Sequence, residues 1–173
     1  MGLFCYNTHM KQFQNKNSGF TLFELTIVII IIVVLGSMLF IIWPGKKPLV
    51  TAQALQIAQD LRYARHYAIT QETSTRITFN TSTKQYTLIN NATSAAILLP
   101  GKTQSTEQLD TSFTLTLTNL PNSYIIFDKD GVPYTDNSGT VLTLNATVAL
   151  TEGSETGNIT IRAHSGSINL PNY

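Results

Sequence analysis

Apolar residues follow three different patterns along the chain. Residues 20–43 form an almost unbroken apolar run, and the stretch from Val50 to Ala68 carries apolar residues at alternating four- and three-residue steps. From Thr75 onwards, apolar and polar residues alternate with a period of two. These patterns predict, in order, a helix that is apolar on all sides, an amphipathic helix and a series of β-strands.

The run 20–43 is long enough to cross a membrane. At about 1.5 Å per residue it reaches about 36 Å as a helix, and a hydrocarbon core is about 30 Å thick. Its many Ile and Val residues favour a strand in water, but a backbone in lipid must satisfy its own hydrogen bonds and therefore forms a helix. We predict a transmembrane helix at 20–43, interrupted after Trp43 by Pro44 and Gly45.

Residues 44–70 are predicted to form a connecting amphipathic helix. Its apolar stripe would dock on a globular domain, while Asp60, Arg62 and Arg65 lie mainly off that stripe. The two arginines could mark a surface that faces a partner, but we interpret them as the solvated side of the helix. The stripe consists of Val50, Ala54, Ile57, Leu61, Ala64 and Ala68.

Residues 71–173 are predicted to form a β-rich globular domain. Residues 92–111 are loop-like apart from Ile97-Leu98-Leu99, and the region from Val141 to Leu150 is expected to place Leu142, Leu144 and Ala146 on one face. The fold class predicted for the whole chain is α+β, a long N-terminal hydrophobic helix followed by an antiparallel β-sandwich-like domain. The other predicted strands are 76–79, 85–89, 112–118, 123–127, 159–163 and 167–170.

Charge and cysteine content narrow the function. Lys11 and Lys16 lie in the polar segment 1–19. The full chain has a formal net charge of +1, and the chain without this segment has a formal net charge of −1. No long basic block remains, which argues against bulk electrostatic binding of nucleic acid. The one cysteine, Cys5, lies in the same segment, so the rest of the chain forms no internal disulfide. The stability of its folded domain therefore depends on the hydrophobic core alone.

Several motifs with possible chemistry are weak. Asp128-Lys129-Asp130-Gly131 could bind Ca²⁺, but it lacks the later ligands of an EF-hand loop and is better interpreted as a turn. Gly101-Lys102-Thr103 resembles the end of a P-loop, but the required upstream glycine is Ala96. His66 and His164 have no cysteine or acidic motif that would predict a metal site. With no Gly-x-Ser-x-Gly elbow either, we predict no catalytic residues, no metal and no cofactor, and hence no enzyme.

Glu24 is the single ionisable side chain in the run 20–43. Inserting a carboxylate into the centre of a membrane helix costs roughly 2.5–3.5 kcal/mol of free energy. Because of this cost, we expect such a residue to have a function. Its natural partner is an amine created by cutting the chain after Gly19.

Lys16, Gly19, Phe20, Thr21-Leu22 and Glu24-Leu25 occur in the order of a class III leader. On these residues the chain resembles the type IV pilin superfamily, which includes the pseudopilins of type II secretion. The resemblance implies that 1–19 is a leader peptide, that prepilin peptidase cuts between Gly19 and Phe20, and that Phe20 is then N-methylated. It also implies that Glu24 acts in filament assembly and that the helix 20–43 becomes part of the filament core.

Motifs in the rest of the chain narrow the resemblance. The helical segment Leu61 to Ile69, the turn from Phe127 to Gly131 and the closing hairpin from Ile161 to Ile168 resemble the minor pseudopilin H and FimT-like minor pilin group. MSHA-type minor pilins remain an alternative. The resemblance implies a minor pseudopilin or pilin subunit of a type II secretion or type IV pilus filament. The implied partners are prepilin peptidase, other pilin or pseudopilin subunits and an inner-membrane assembly platform.

The resemblance also implies a location, a single-pass protein of the bacterial inner membrane whose globular domain lies in the periplasm before it joins a periplasmic or surface filament. Two other functions remain open. A DNA-uptake minor pilin would need exposed cations, but residues 166–173 have none and Arg162 stands alone. A membrane-tethered periplasmic enzyme would need a catalytic constellation, which the sequence does not show.

Overall fold

A computed structural model describes residues 21–41 and 46–170, with side chains at 21–36 and 49–170. The chain divides into two compact units, Met1–Trp43 and Pro44–Tyr173. The first unit contains helix α1, Leu22–Ile41. The second contains helix α2, Lys46–Thr70, and the β-rich part of the chain; α2 and the strands together are called the body below. The predicted interruption at Trp43-Pro44-Gly45 lies outside the described residues.

The strands of the body form two antiparallel sheets, as the sequence predicts. One sheet has the order β3-β2-β1-β5-β6, and the other has the order β4-β7-β8-β9. The strands are β1 Thr75–Asn80, β2 Gln85–Asn90, β3 Thr106–Gln108, β4 Thr114–Thr118, β5 Tyr124–Phe127, β6 Pro133–Tyr134, β7 Ala146–Glu152, β8 Glu155–Ile161 and β9 Ile168–Asn169.

The β1–β2 hairpin follows from its turn chemistry. The Asn80 side-chain oxygen accepts hydrogen bonds from the backbone N–H groups of Ser82 and Thr83, at 3.0 and 2.9 Å. Such a turn mimics backbone hydrogen bonding and reverses the chain. The register that results pairs Ile77 with Leu88, and both side chains are buried.

Helix α2 supplies one wall of the core. The six residues of its predicted stripe are all buried, at 0 or 1% exposed, which confirms that prediction. The helix packs on strands of both sheets, including β1, β7 and β8. The Thr75 hydroxyl at the start of β1 donates to the Ala64 carbonyl, 3.0 Å away, and so ties the first strand to the helix.

The core contains four large aromatic side chains: Phe79, Tyr86, Phe113 and Phe127. Each comes from or directly precedes a different strand, so the core joins both sheets. All buried core residues lie between Val50 and Ile168. Over the described residues, the buried hydrophobic core therefore consists of residues of the body.

Three details of the predicted strands are wrong. The strand predicted from Val141 begins only at Ala146, and Leu144 is 66% exposed rather than on the buried face. Strand β3 lies within the segment predicted as a loop. Strand β8 begins at Glu155, earlier than predicted, because it pairs with β7 over seven residues through a tight hairpin at Gly153.

Candidate functional site

The start of α1 is fixed by a side-chain cap. The Thr21 hydroxyl accepts a hydrogen bond from the Glu24 backbone N–H at 3.2 Å, and the Thr21 carbonyl accepts one from the Leu25 N–H. A threonine at this position satisfies one of the free N–H groups that every helix start exposes. Thr21 and Glu24 also have the spacing of a capping box, a signal that the sequence interpretation overlooked. The cap sets Glu24 in the first turn of the helix.

Beyond that turn, the described side chains of α1, up to Gly36, are apolar except for Thr26. Glu24 is its only acidic residue, and no basic residue lies in its last turn. The large apolar side chains from Leu22 to Leu35 are 42–84% exposed in the isolated chain. A helix that is apolar all round requires cover on all of its faces.

Within the described ranges, no helix has both the length and the apolar character needed to cross a membrane. The predicted cleavage residues Gly19 and Phe20 lie outside the described residues, as does the whole leader 1–19. The structure therefore places only Glu24 among the three predicted site residues. It lies on an exposed face near the N-terminus of α1.

The two arginines of α2 have a structural role that the sequence interpretation did not assign. Arg62 Nη2 donates to the Ile168 carbonyl at 3.0 Å, and Arg65 Nε donates to the Gly131 carbonyl at 3.1 Å. Hydrogen bonds from a charged donor are stronger than those between neutral groups. Arg62 is exposed, as that interpretation expects, but both guanidinium groups also link α2 to the β-rich part, at Ile168 of strand β9 and at the Gly131 turn.

A buried polar pair joins α2 to the first sheet. The Tyr86 hydroxyl donates a hydrogen bond to the Asp60 carboxylate, and Asp60 is only 6% exposed although it lies off the apolar stripe. Burial raises the pKa of Asp60 above its ordinary value, and the hydrogen bond from Tyr86 only partly opposes this shift. Burial and the neighbouring carboxylate also raise the pKa of Tyr86, so its hydroxyl stays protonated.

Beside this pair, Glu107 of β3 links three elements. It accepts a hydrogen bond from Gln56 at 2.9 Å and forms an ion pair with Lys102 at 2.8 Å. Lys102, the lysine of the P-loop-like triplet, is therefore held by a carboxylate. An open groove between α2 and the Pro100 loop lies next to these residues.

The Asp128–Gly131 segment is a turn. One Asp128 carboxylate oxygen accepts from the Asp130 and Val132 N–H groups, at 2.9 and 2.8 Å. Gly131 has φ +75°, a conformation that favours glycine. Over the described residues no cluster of three or more His, Cys, Asp or Glu side chains could hold a metal ion. His66 and His164 are both exposed.

A first helix with large exposed apolar side chains, followed by a second helix docked on antiparallel sheets, is the architecture of a pilin-like protein. The chain matches the prokaryotic N-terminal methylation motif over residues 14–40. Residues 53–166 match the type II transport protein GspH, and the chain belongs to that family. The superfamily and the pseudopilin H group predicted from the sequence are thereby confirmed.

Solved structures agree on the fold. The minor pseudopilin EpsH from the type 2 secretion system of Vibrio cholerae superposes with a TM-score of 0.54 at 14% identity, covering 70% of this chain and 94% of that one. The type IV minor pilin FimU of Pseudomonas aeruginosa gives 0.55 at 15% identity, covering 73% and 91%. No curated protein sequence matches the chain. At these identities the similarity establishes the fold alone.

Proposed function

We propose that the protein is a minor pseudopilin or pilin subunit, which is processed after Gly19 and joins a type II secretion or type IV pilus filament through its N-terminal helix. One observation carries this proposal. A methylation motif over residues 14–40 and a GspH domain over residues 53–166 occur in the same chain, in that order. The family and the fold are those of structural subunits.

Processing supplies the chemistry of the N-terminus. Prepilin peptidase would cut between Gly19 and Phe20, because a glycine lets the backbone approach an active site closely. The new Phe20 α-amine would have an ordinary pKa of about 7.7–8.0 and would remain basic after N-methylation.

The role proposed for Glu24 follows from charge. In an apolar environment its carboxylate and the Phe20 amine are each costly. An ion pair between Glu24 of one subunit and the amine of its neighbour offsets part of that cost. The same pairing sets the axial register of adjacent subunits, while the exposed apolar faces of α1 pack against neighbouring helices.

Before assembly the protein would be anchored in the bacterial inner membrane by the helix 20–43, with the body in the periplasm. It would then be transferred, with the help of the inner-membrane assembly platform, into a periplasmic or surface filament. The requirement of α1 for apolar cover supports this location, since lipid and neighbouring helices both provide such cover.

The Glu24→Gln variant tests the assembly role. It removes the charge and keeps the shape, so the protein is expected to be cut to mature size but to appear in sheared filaments at a small fraction of the normal amount. Glu24→Asp retains the charge and Glu72→Gln neutralises an exposed carboxylate of the body, so both serve as matched controls. Filament incorporation of Glu24→Gln at the level of Glu72→Gln would overturn the proposal.

The leader has a test of its own. Gly19→Val is expected to accumulate as the uncut precursor, because the added side chain obstructs the peptidase. Gly19→Ala, with a smaller side chain, is the graded control. A mature-size band for Gly19→Val on a denaturing gel would contradict the proposed cleavage site.

A DNA-uptake role remains the second candidate, because one feature of the fold favours it. Arg62 and Arg162 are both exposed, and Arg62 donates to the Ile168 carbonyl, which places it beside the closing hairpin in which Arg162 lies. A salt-dependent mobility shift of DNA by the purified body, lost in Arg162→Gln, would support this role. Absence of a shift at low salt would exclude it.

A membrane-tethered periplasmic enzyme is the third candidate. The buried Asp60 carboxylate, a possible general base, already accepts a hydrogen bond from the Tyr86 hydroxyl. A hydrolase screen of the purified body would detect such an activity.

A further inference from the structure

The four sheet edges of the body differ in how well they are protected. An edge strand presents unpaired N–H and C=O groups to any other extended chain, and proteins protect such edges by shortness, charge, proline or bulges. Strand β6 has two residues and begins with Pro133, β9 has two residues, and β3 has three with the ion-paired Glu107 among them.

Strand β4 has none of these protections. It has five residues, Thr114-Leu115-Thr116-Leu117-Thr118, with no charge and no proline. Its pairing with β7 is continuous over all five residues, so it contains no bulge. Among the described residues, no strand pairs with the edge of β4 that faces away from β7. No backbone hydrogen bond from a turn or loop of the described residues is made to β4 either.

The sequence of β4 is also a palindrome. If two copies met antiparallel about a two-fold axis at Thr116, Thr114 would lie opposite Thr118, and Leu115 would lie opposite Leu117. Residues directly opposite in a sheet share a face, and Thr–Thr and apolar pairs across strands stabilise it. The three threonines would remain on the exposed face, and the half-buried Leu117 would gain apolar cover from Leu115 of the other copy.

We propose that β4 is an association edge, at which the body pairs with a second copy of this chain to make one continuous sheet of eight strands. The symmetry favours a copy over an unlike partner, because a self-complementary strand satisfies both edges at once. Such a pair is closed, since neither β4 retains a free edge, and it does not extend into a fibre.

Disulfide trapping tests the register. The body, produced as residues 46–173, contains its own core and no cysteine. In Thr116→Cys the two sulfurs would meet at the axis, where opposite Cβ atoms are about 4.5–5.5 Å apart, close to the span of a disulfide. Mild oxidation is expected to give a covalent dimer on a non-reducing gel.

Thr114→Cys is the matched control. It lies on the same exposed face of the same strand, but the register separates its two copies by about 13 Å along the strand direction. It should stay monomeric alone and should crosslink when mixed with Thr118→Cys. Crosslinking of Thr114→Cys alone as fast as Thr116→Cys would overturn the proposal.

Sedimentation equilibrium supplies an independent measurement. The unmodified body should change reversibly from monomer to dimer with increasing concentration, and Thr116→Lys should raise the dissociation constant several-fold because like charges meet at the axis. Circular dichroism would establish that each variant is folded. A body that stays monomeric at millimolar concentration, or a dimer unaffected by Thr116→Lys, would overturn the proposal.

Discussion

At the scale of single residues, the buried carboxylate of Asp60 gives the body a distinctive pH dependence. Its pKa is raised in the folded state by burial, so the folded chain binds a proton there more readily than the unfolded chain. The contribution of Asp60 to stability is therefore fully present below its unfolded pKa of about 3.9. It is lost as the pH rises through the folded pKa.

Asp60→Asn should remove this contribution, because the Asn oxygen still accepts the Tyr86 hydrogen bond but no longer titrates. In urea unfolding of the body at several pH values, the unmodified chain should gain stability from this residue as the pH falls through the folded pKa towards the unfolded value of about 3.9. Asp60→Asn should lack that gain.

Asp136→Asn is a control in which the stability contribution should depend on pH in the opposite direction. Hydrogen bonds from Thr140 lower the pKa of Asp136, so its contribution is present above the unfolded pKa and lost as the pH falls through the folded pKa. If Asp60→Asn left the pH dependence above the unfolded pKa of about 3.9 unchanged, the buried carboxylate would not be its source.

At the scale of elements, the close approach of α2 to β8 depends on Gly157. A Cβ atom added there would lie 2.9 Å from Ala54 Cβ and 3.1 Å from Val50 Cγ1, both on the buried stripe of α2. Such contacts are shorter than packed cores allow, so helix and strand would have to separate.

Gly157→Ala should therefore destabilise the body by about 1–3 kcal/mol, the usual cost of overpacking a core. The measurement is the urea unfolding free energy. Ala54→Gly creates space at the same contact, so the double variant should recover part of the loss relative to the sum of the two single changes. Strictly additive effects would show that the helix and strand do not compete for this space.

The elements also show what the sequence could and could not predict. The α2 stripe was predictable because its period is local, and the β1–β2 hairpin because its apolar alternation and polar turn are adjacent. Strand β3 could not be predicted from the sequence, because its residues are polar and form a strand only by pairing with β2. Asp60 gave no signal either, because its partner Tyr86 is distant in sequence. Among the proposed site residues, Gly19, Phe20 and Glu24 could be predicted because the motif that we propose for processing and assembly is contiguous in the sequence.

At the scale of the whole molecule, the two units differ in whether their described apolar side chains are exposed or buried. Unit Met1–Trp43 contains a helix with exposed apolar faces, whereas unit Pro44–Tyr173 contains all of the described core. A domain with its own core folds alone. Assembly and folding are therefore expected to be separable, with α1 responsible for the first and the body for the second.

The final prediction follows from that separation. The body alone, residues 46–173, should unfold in one cooperative urea transition with coincident far- and near-ultraviolet circular dichroism. Leu61→Ala, which leaves a cavity where α2 meets the sheets, should lower its stability by about 2–5 kcal/mol. Leu144→Ala, at a side chain of the same type that is 66% exposed, should change it little. Equal effects of the two substitutions, or a body without near-ultraviolet signal, would mean that α1 is needed to complete the fold.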